Sequence, residues 1–151
     1  MIVYRLGNTK YSSDTTGEGA RLFGGRWNNI LTACIYTSES RALALLEYTV
    51  NVNIDNIPGK LSITAFEIPD IGIREFKINE LPGNWAQIPS PASTKDFGTN
   101  LLHDPSVPVL KIPSIIIPEE FNYILNPLYH DRSIFKIHSV TEFICDVRIK
   151  G

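Results

Sequence analysis

The chain has 151 residues, a mass of 16.9 kDa and a formal net charge of −2, with 43% hydrophobic and 20% charged residues. This composition excludes a disordered tail, a collagen-like rod and a coiled coil. The length predicts one domain over residues 1–151, large enough to bury a core without a disulfide or metal staple. With no basic excess, direct nucleic-acid binding is not expected.

Glycine and proline are unevenly placed. Half of the ten glycines fall within the first 25 residues, and all ten prolines lie at Pro58 or later. In chain order, Ile2 to Leu6 predicts a first strand, and residues 7 to 25 predict a long Gly/Ser/Thr/Asp-rich loop of the kind that is often functional. Ala33 to Thr37 is β-prone. It runs into Ser38-Glu39-Ser40, where Ser38 is the expected cap of a helix written ESRALALLEYTV and ending near Asn51 to Asn53. Leu61 to Ile68 and Ile73 to Ile78 predict strands, whereas the Pro/Gly-punctuated residues 79 to 108 predict an irregular surface excursion. Val109 to Ile117 reads as a strand broken by Pro113, with Pro118-Glu119-Glu120 opening a helical turn. Ile134 to His138 and Phe143 to Ile149 complete the strands; the second alternates Phe143, Cys145, Val147 and Ile149 on one face. The expected class is a single α+β domain with one dominant helix in its front half and many short strands.

Cys34 and Cys145 each sit in an apolar stretch with no CxxC, which predicts two buried thiols in a reducing compartment. The N-terminus has too few apolar residues for a signal peptide and no apolar run reaches membrane length, so a cytoplasmic protein with no membrane contact is expected. The histidines His103, His130 and His138 share no metal-ligand spacing.

Candidate chemistry begins at Gly24-Gly25-Arg26-Trp27-Asn28. Two glycines permit close backbone approach, and the arginine that follows offers a planar fork for phosphate or carboxylate. The same text also suits a tight turn with a solvated arginine and a core tryptophan. Glu47 stands among apolar residues on a helix expected to be buried on two sides, with no Lys or Arg one turn away. Either a loop arginine or backbone groups satisfy it, or it is used. Tyr36 before the helix, Ser114 between Pro113 and an apolar run, and Asn122-Tyr123-Ile124-Leu125-Asn126-Pro127, whose two amides have turn potential, are individually weak signals.

Their order is specific. GEGARLFGGRWN, then IYTSESRALALLEY, then KIPSIIIPEEFNYILNP resembles the RES-domain family over nearly the whole chain, with segment 95–108 departing from the family text. The family is named for an Arg, a Glu and a Ser, which here fall on Arg26, Glu47 and Ser114. The resemblance implies a fold similar to ADP-ribosyltransferase toxins, with short mixed strands around a central cleft. It implies the toxin of a bacterial toxin–antitoxin pair that arrests growth by cleaving the nicotinamide–ribose bond of NAD+, as a glycohydrolase or phosphorylase. The alternatives are a mono-ADP-ribosyltransferase acting on a protein, or a non-catalytic binding domain on the same fold. On this resemblance Glu47 stabilises an oxocarbenium-like transition state, and Arg26 holds the pyrophosphate. Tyr36 stacks on nicotinamide or shields the site, and Ser114 orients Glu47 or the ribose. Gly24, Gly25, Asn28, Arg5 and Asn126 supply further cofactor contacts. NAD+ enters as substrate and no metal is called for. The implied partner is a cognate helix-turn-helix antitoxin that blocks the site, with a homodimer and a larger toxin–antitoxin complex among the allowed assemblies.

Overall fold

A computed structural model of the chain describes residues 1–149. Seven strands carry the molecule: β1 (Ile2–Asn8), β2 (Ile35–Ser38), β3 (Leu61–Glu67), β4 (Ile73–Glu75), β5 (Val109–Pro113), β6 (Phe121–Leu125) and β7 (Lys136–Phe143). They form one mixed sheet in the order β4-β5-β6-β2-β1-β3-β7, in which only β4 and β5 pair in parallel. Three helices accompany it: α1 (Glu18–Phe23), α2 (Arg41–Asn51) and α3 (Ala92–Leu102). The α+β class with short mixed strands is therefore as expected.

Successive strand residues face opposite sides of a sheet, and both sides of the centre are buried here. Val109, Tyr123, Leu125 and Ile35 pack with Val3 and Phe66 on one side. Leu110, Ile112 and Ile124 pack with Trp27, Trp85 and Leu102 on the other. The pairing has one interruption. β1 and β3 are in register from Ile2↔Glu67 to Asn8↔Leu61, but β1 and β2 meet only at Tyr4↔Ser38. Beyond that point the two strands splay.

Several elements differ from the sequence expectation. The segment 7–25 is not one loop: β1 extends to Asn8, a 3-10 turn follows at Thr9–Tyr11, and α1 occupies Glu18–Phe23. The cap of α2 is Ser40, whose hydroxyl accepts from the Leu43 N–H, while Ser38 belongs to β2. Nor is α2 buried on two sides, since Ala42 and Val50 are exposed. β4 is shorter than expected, giving way to a 3-10 turn at Ile78–Glu80. The supposed excursion 79–108 holds buried Leu81 and Trp85 and the whole of α3, so α2 is not the one dominant helix. β5 stops at Pro113, and Pro118-Glu119-Glu120 makes a turn rather than a helix. Asn122 and its neighbours form the strand β6 instead of a turn. The predicted strand over 143–149 is absent: β7 ends at Phe143, and Asp146 ties the Arg148 backbone and guanidinium into a local 3-10 turn. Cys34 is buried as expected, but Cys145 is only half-buried. Among the described residues no helix is long and apolar enough to cross a membrane.

α3 lies hard against the loop after α1. A Cβ on Gly98 would collide with the Trp27 backbone carbonyl. Replacing a helix-interior glycine by alanine ordinarily stabilises by up to about 1 kcal/mol. Here the sign reverses: Gly98→Ala is expected to destabilise by about 1–3 kcal/mol or more through overpacking. Urea denaturation checks this, and a midpoint at or above that of the parent chain would contradict the packing described.

Candidate active site

Where β1 and β2 splay, a cleft of about 1260 Å³ opens. Its walls include Arg5 to Asn8 of β1, Cys34 to Ser38 around β2, Gly24 to Trp27, and Glu47 and Tyr48 of α2. The rim carries exposed apolar side chains, Leu22, Phe23 and Ile88. An antiparallel ladder that stops pairing provides the opening, and α2, packed against β1 and β2, provides the carboxylate.

Glu47 is half-buried and its satisfaction is specific. Ser114 Oγ and Asn122 Nδ2 both donate to Oε1, each at 2.7 Å. Ser114 is fully buried behind Glu47 and does not itself line the cleft. The backbone N–H groups of Ile116 and Ile117 donate to its hydroxyl oxygen at 3.1 and 3.2 Å, so its proton is directed to the carboxylate. No hydrogen bond from the described residues goes to Oε2 of Glu47, which belongs to a cleft-lining residue. Neither a loop arginine nor the backbone satisfies Glu47; two side chains do. Asn122 is the participant that sequence reasoning passed over, because an Asn before Pro-terminated text looks like a turn amide. Its signal is visible only once Asn122 is set opposite Ser38 across the β2–β6 ladder.

Arg26 lines the same cleft. Its Nη1 donates to the carbonyls of Trp85 and Gln87 at 2.9 and 2.8 Å, leaving Nε and Nη2 without an acceptor among the described residues. Burial lowers its pKa, opposed by the charge of Glu47, yet the two side chains make no ion pair. The Gly24–Asn28 loop that presents Arg26 is held on all sides. Gly25 N–H donates to the Asn28 carbonyl, and Lys95 Nζ, Ser90 Oγ and Thr99 Oγ1 engage Gly25 O, Arg26 O and Asn29 N–H. Gly25 admits no side chain, because a Cβ there would stand 2.6 Å from the Tyr36 hydroxyl. That hydroxyl donates to Asn28 Oδ1 at 2.6 Å and accepts from the Trp27 N–H at 3.0 Å.

The remaining expected residues divide. Gly24 and Gly25 line the cleft, as does Arg5, whose Nη2 donates to the carbonyls of Tyr11 and Ser12 and whose guanidinium stacks 4.9 Å over Phe66. Burial lowers the Arg5 pKa, with nearby Asp14 opposing the shift. Asn28 and Asn126 are fully buried away from the cleft. Their amides donate to backbone carbonyls, Asn28 to Ala20, Asn29 and Thr32, and Asn126 to Asp104 and Val107. They brace the loops around them. Among the described residues there is no group of three or more His, Cys, Asp or Glu arranged to hold a metal ion.

Burial pushes the Cys34 thiol up to about 12 and the Tyr36 phenol well above its ordinary value. Both groups hold their protons to higher pH in the folded chain than in the unfolded one. The stability they lend is therefore complete below the ordinary thiol value of 9.0 and falls as pH rises toward about 12. Urea midpoints at about pH 8 and about pH 10.5 should show a steep alkaline loss that Cys34→Ala makes shallower. Equal pH slopes for the two chains would contradict this.

The RES-domain family model matches residues 2–144. A protein named Toxin Res from Yersinia enterocolitica is 38% identical over 128 residues, covering 84% of each chain. A protein named Prs ADP-ribosylating toxin from a Sphingobium species is 32% identical over 144 residues, covering 93% of this chain and 89% of that one. In the solved structures, a chain of the M. tuberculosis MbcT–MbcA toxin–antitoxin complex superposes with a TM-score of 0.76 at 15% identity, covering 94% of this chain and 83% of that chain. At that identity the likeness concerns the fold.

Proposed function

The chain belongs to the RES-domain family, and from that premise we propose that it is the toxin of a toxin–antitoxin pair that consumes NAD+ at the cleft between β1 and β2. The observation that carries the reading is Glu47: two side chains donate to its Oε1, and among the described residues none donates to its Oε2. A carboxylate so held can accept from a ribose hydroxyl and set fixed negative charge beside a developing oxocarbenium ion.

In the reaction the C1′–N bond to nicotinamide breaks, its electron pair leaving with neutral nicotinamide. Water or phosphate then bonds to C1′ and gives up a proton. Glu47 stabilises the ribosyl cation between these events. Arg26, held through Nη1 alone, offers Nε and Nη2 to the pyrophosphate. Tyr36 stays neutral and forms a wall against water, and Ser114 positions Glu47 without touching substrate. Arg5 is a second cation along the cleft, while Gly24 and Gly25 let the loop approach the ligand closely.

The name of the Sphingobium relative favours a second acceptor, a side chain of a cellular protein, with the same bond broken. The fold's likeness to a chain of a toxin–antitoxin complex supports a neutralising antitoxin partner, of the helix-turn-helix type on the family reading. The exposed Leu22, Phe23 and Ile88 at the rim are apolar surface such a partner would cover.

Purified chain incubated with NAD+ should release nicotinamide, with ADP-ribose or its phosphorylated form identified by mass. Glu47→Gln should lower the rate about 10²-fold or more. Arg26→Ala should act mainly by raising KM. Turnover in Glu47→Gln equal to that of the parent would remove Glu47 from the mechanism. Radiolabel from NAD+ moving onto one lysate protein, rather than into free product, would select the transferase reading.

A further inference from the structure

Asn122, half-buried and itself on the cleft wall, differs from the buried amides Asn28 and Asn126. Asn28 and Asn126 give their Nδ2 donors to backbone carbonyls, as structural amides do. Asn122 is engaged by side chains at both ends. Its Nδ2 donates to Glu47 Oε1 at 2.7 Å, and its Oδ1 accepts from Ser38 Oγ at 2.7 Å. Its backbone is fixed mid-sheet, with Ser38 of β2 on one side and Ile112 of β5 on the other.

We propose that Asn122 is a positioning residue that fixes which oxygen of Glu47 faces the substrate, and that Ser38 anchors the far end of its amide. A carboxylate at the end of a glutamate side chain rotates freely unless donors hold it. Ser114 alone reaches Oε1 from the β5–β6 connection and leaves the carboxylate a hinge. Asn122 reaches the same oxygen from β6, so that two donors on different elements pin Oε1 and leave Oε2 to the cleft. The amide works only one way round, because a flipped Asn122 would set Oδ1 against Oε1, two acceptors in contact. The Glu47 carboxylate, an acceptor only, thereby sets the polarity of the amide, and the Ser38 hydroxyl, buried and directly across the ladder, donates to Oδ1 and anchors its other end. The consequence for turnover rests on the NAD+-consuming reading; the placement of the carboxylate does not.

The test reads both. In steady-state NAD+ consumption, Asn122→Ala should lower kcat about tenfold or more, as expected for a lost hydrogen bond to a charged group, with KM changed less than about twofold. Ser38→Ala, which keeps the amide but removes the anchor at its Oδ1, should lower kcat by a smaller, several-fold factor. Independently of turnover, melting temperatures of Asn122→Ala, Glu47→Ala and the double variant form a cycle. The double variant should lose less than the sum of the single losses by roughly 4 °C or more. Where Asn122→Ala does not fold, the same cycle run with Ser38→Ala, with a smaller non-additivity expected, carries the test. Additive melting losses would overturn the proposal, as would a raised KM at unchanged kcat, which would make Asn122 a substrate contact. If the parent chain does not consume NAD+, the functional reading fails while the melting cycle still decides whether Asn122 positions Glu47.

Discussion

A strand that stops pairing with its neighbour leaves backbone donors and acceptors facing open space, and a sheet tolerates this only where something else holds the strands in place. β1 and β2 meet at Tyr4↔Ser38 and then diverge. β1 is held on its other flank by β3 along its full length, and β2 by β6 along all four of its residues. The split is therefore a cleft with two rigid walls. α2, packed across the junction, lowers Glu47 into it at the point where β6 can supply Asn122 and the loop after β5 can supply Ser114. Remove the splay, and Glu47 would lie over a closed ladder with nothing to act on.

The opposite wall depends on a helix that lines no part of the cleft. α3 presents Lys95, Gly98 and Thr99 to the Gly24–Asn29 loop, and these residues hold its backbone by a cation, a close approach and a hydroxyl. Tyr36 and Asn28 close the loop from beneath. Arg26 is thus presented from a short turn whose backbone groups are individually engaged. Loop position and rigidity are not opposed here, because the bracing comes from regular structure on both sides.

What was legible in the sequence was the local chemistry. The glycines before Arg26, the helix bearing Glu47 and the serine after Pro113 are contiguous signals, and β3 and the C-terminal end of α2 fall where hydrophobic period places them. What was not legible depends on distant partners. α3 escapes because AsnLeuLeu follows a Ser/Thr/Lys/Asp-rich stretch with Gly98 in its middle, poor helix text whose burial comes from Trp27 and Leu110. Asn122 reads as a turn residue until β2 is laid beside β6. Asn28 and Asn126 sit close to motif residues in sequence and yet face the interior, because adjacency in the chain says nothing about which side of a turn an amide takes. The 143–149 alternation fails for the converse reason: period two is present, but Asp146 satisfies the local backbone itself and, among the described residues, no strand lies beyond β7 to pair with.

The electrostatics of the cleft follow from how its two arginines are held. Arg5 and Arg26 are both fixed by backbone carbonyls, and neither forms an ion pair with a carboxylate among the described residues. A carbonyl restrains a guanidinium without cancelling its charge, whereas a carboxylate would do both. Burial weakens hydration of each cation, which the lowered pKa values express, so each gains more from an incoming anion than an exposed arginine would. Glu47 is held in the complementary manner, by neutral hydroxyl and amide donors rather than by an ion pair with Arg26, although the two charges feel one another. Separating these charges and bracing each with neutral groups leaves the cleft charged on both counts. It is then suited to a ligand that is anionic along its length and becomes cationic at one carbon.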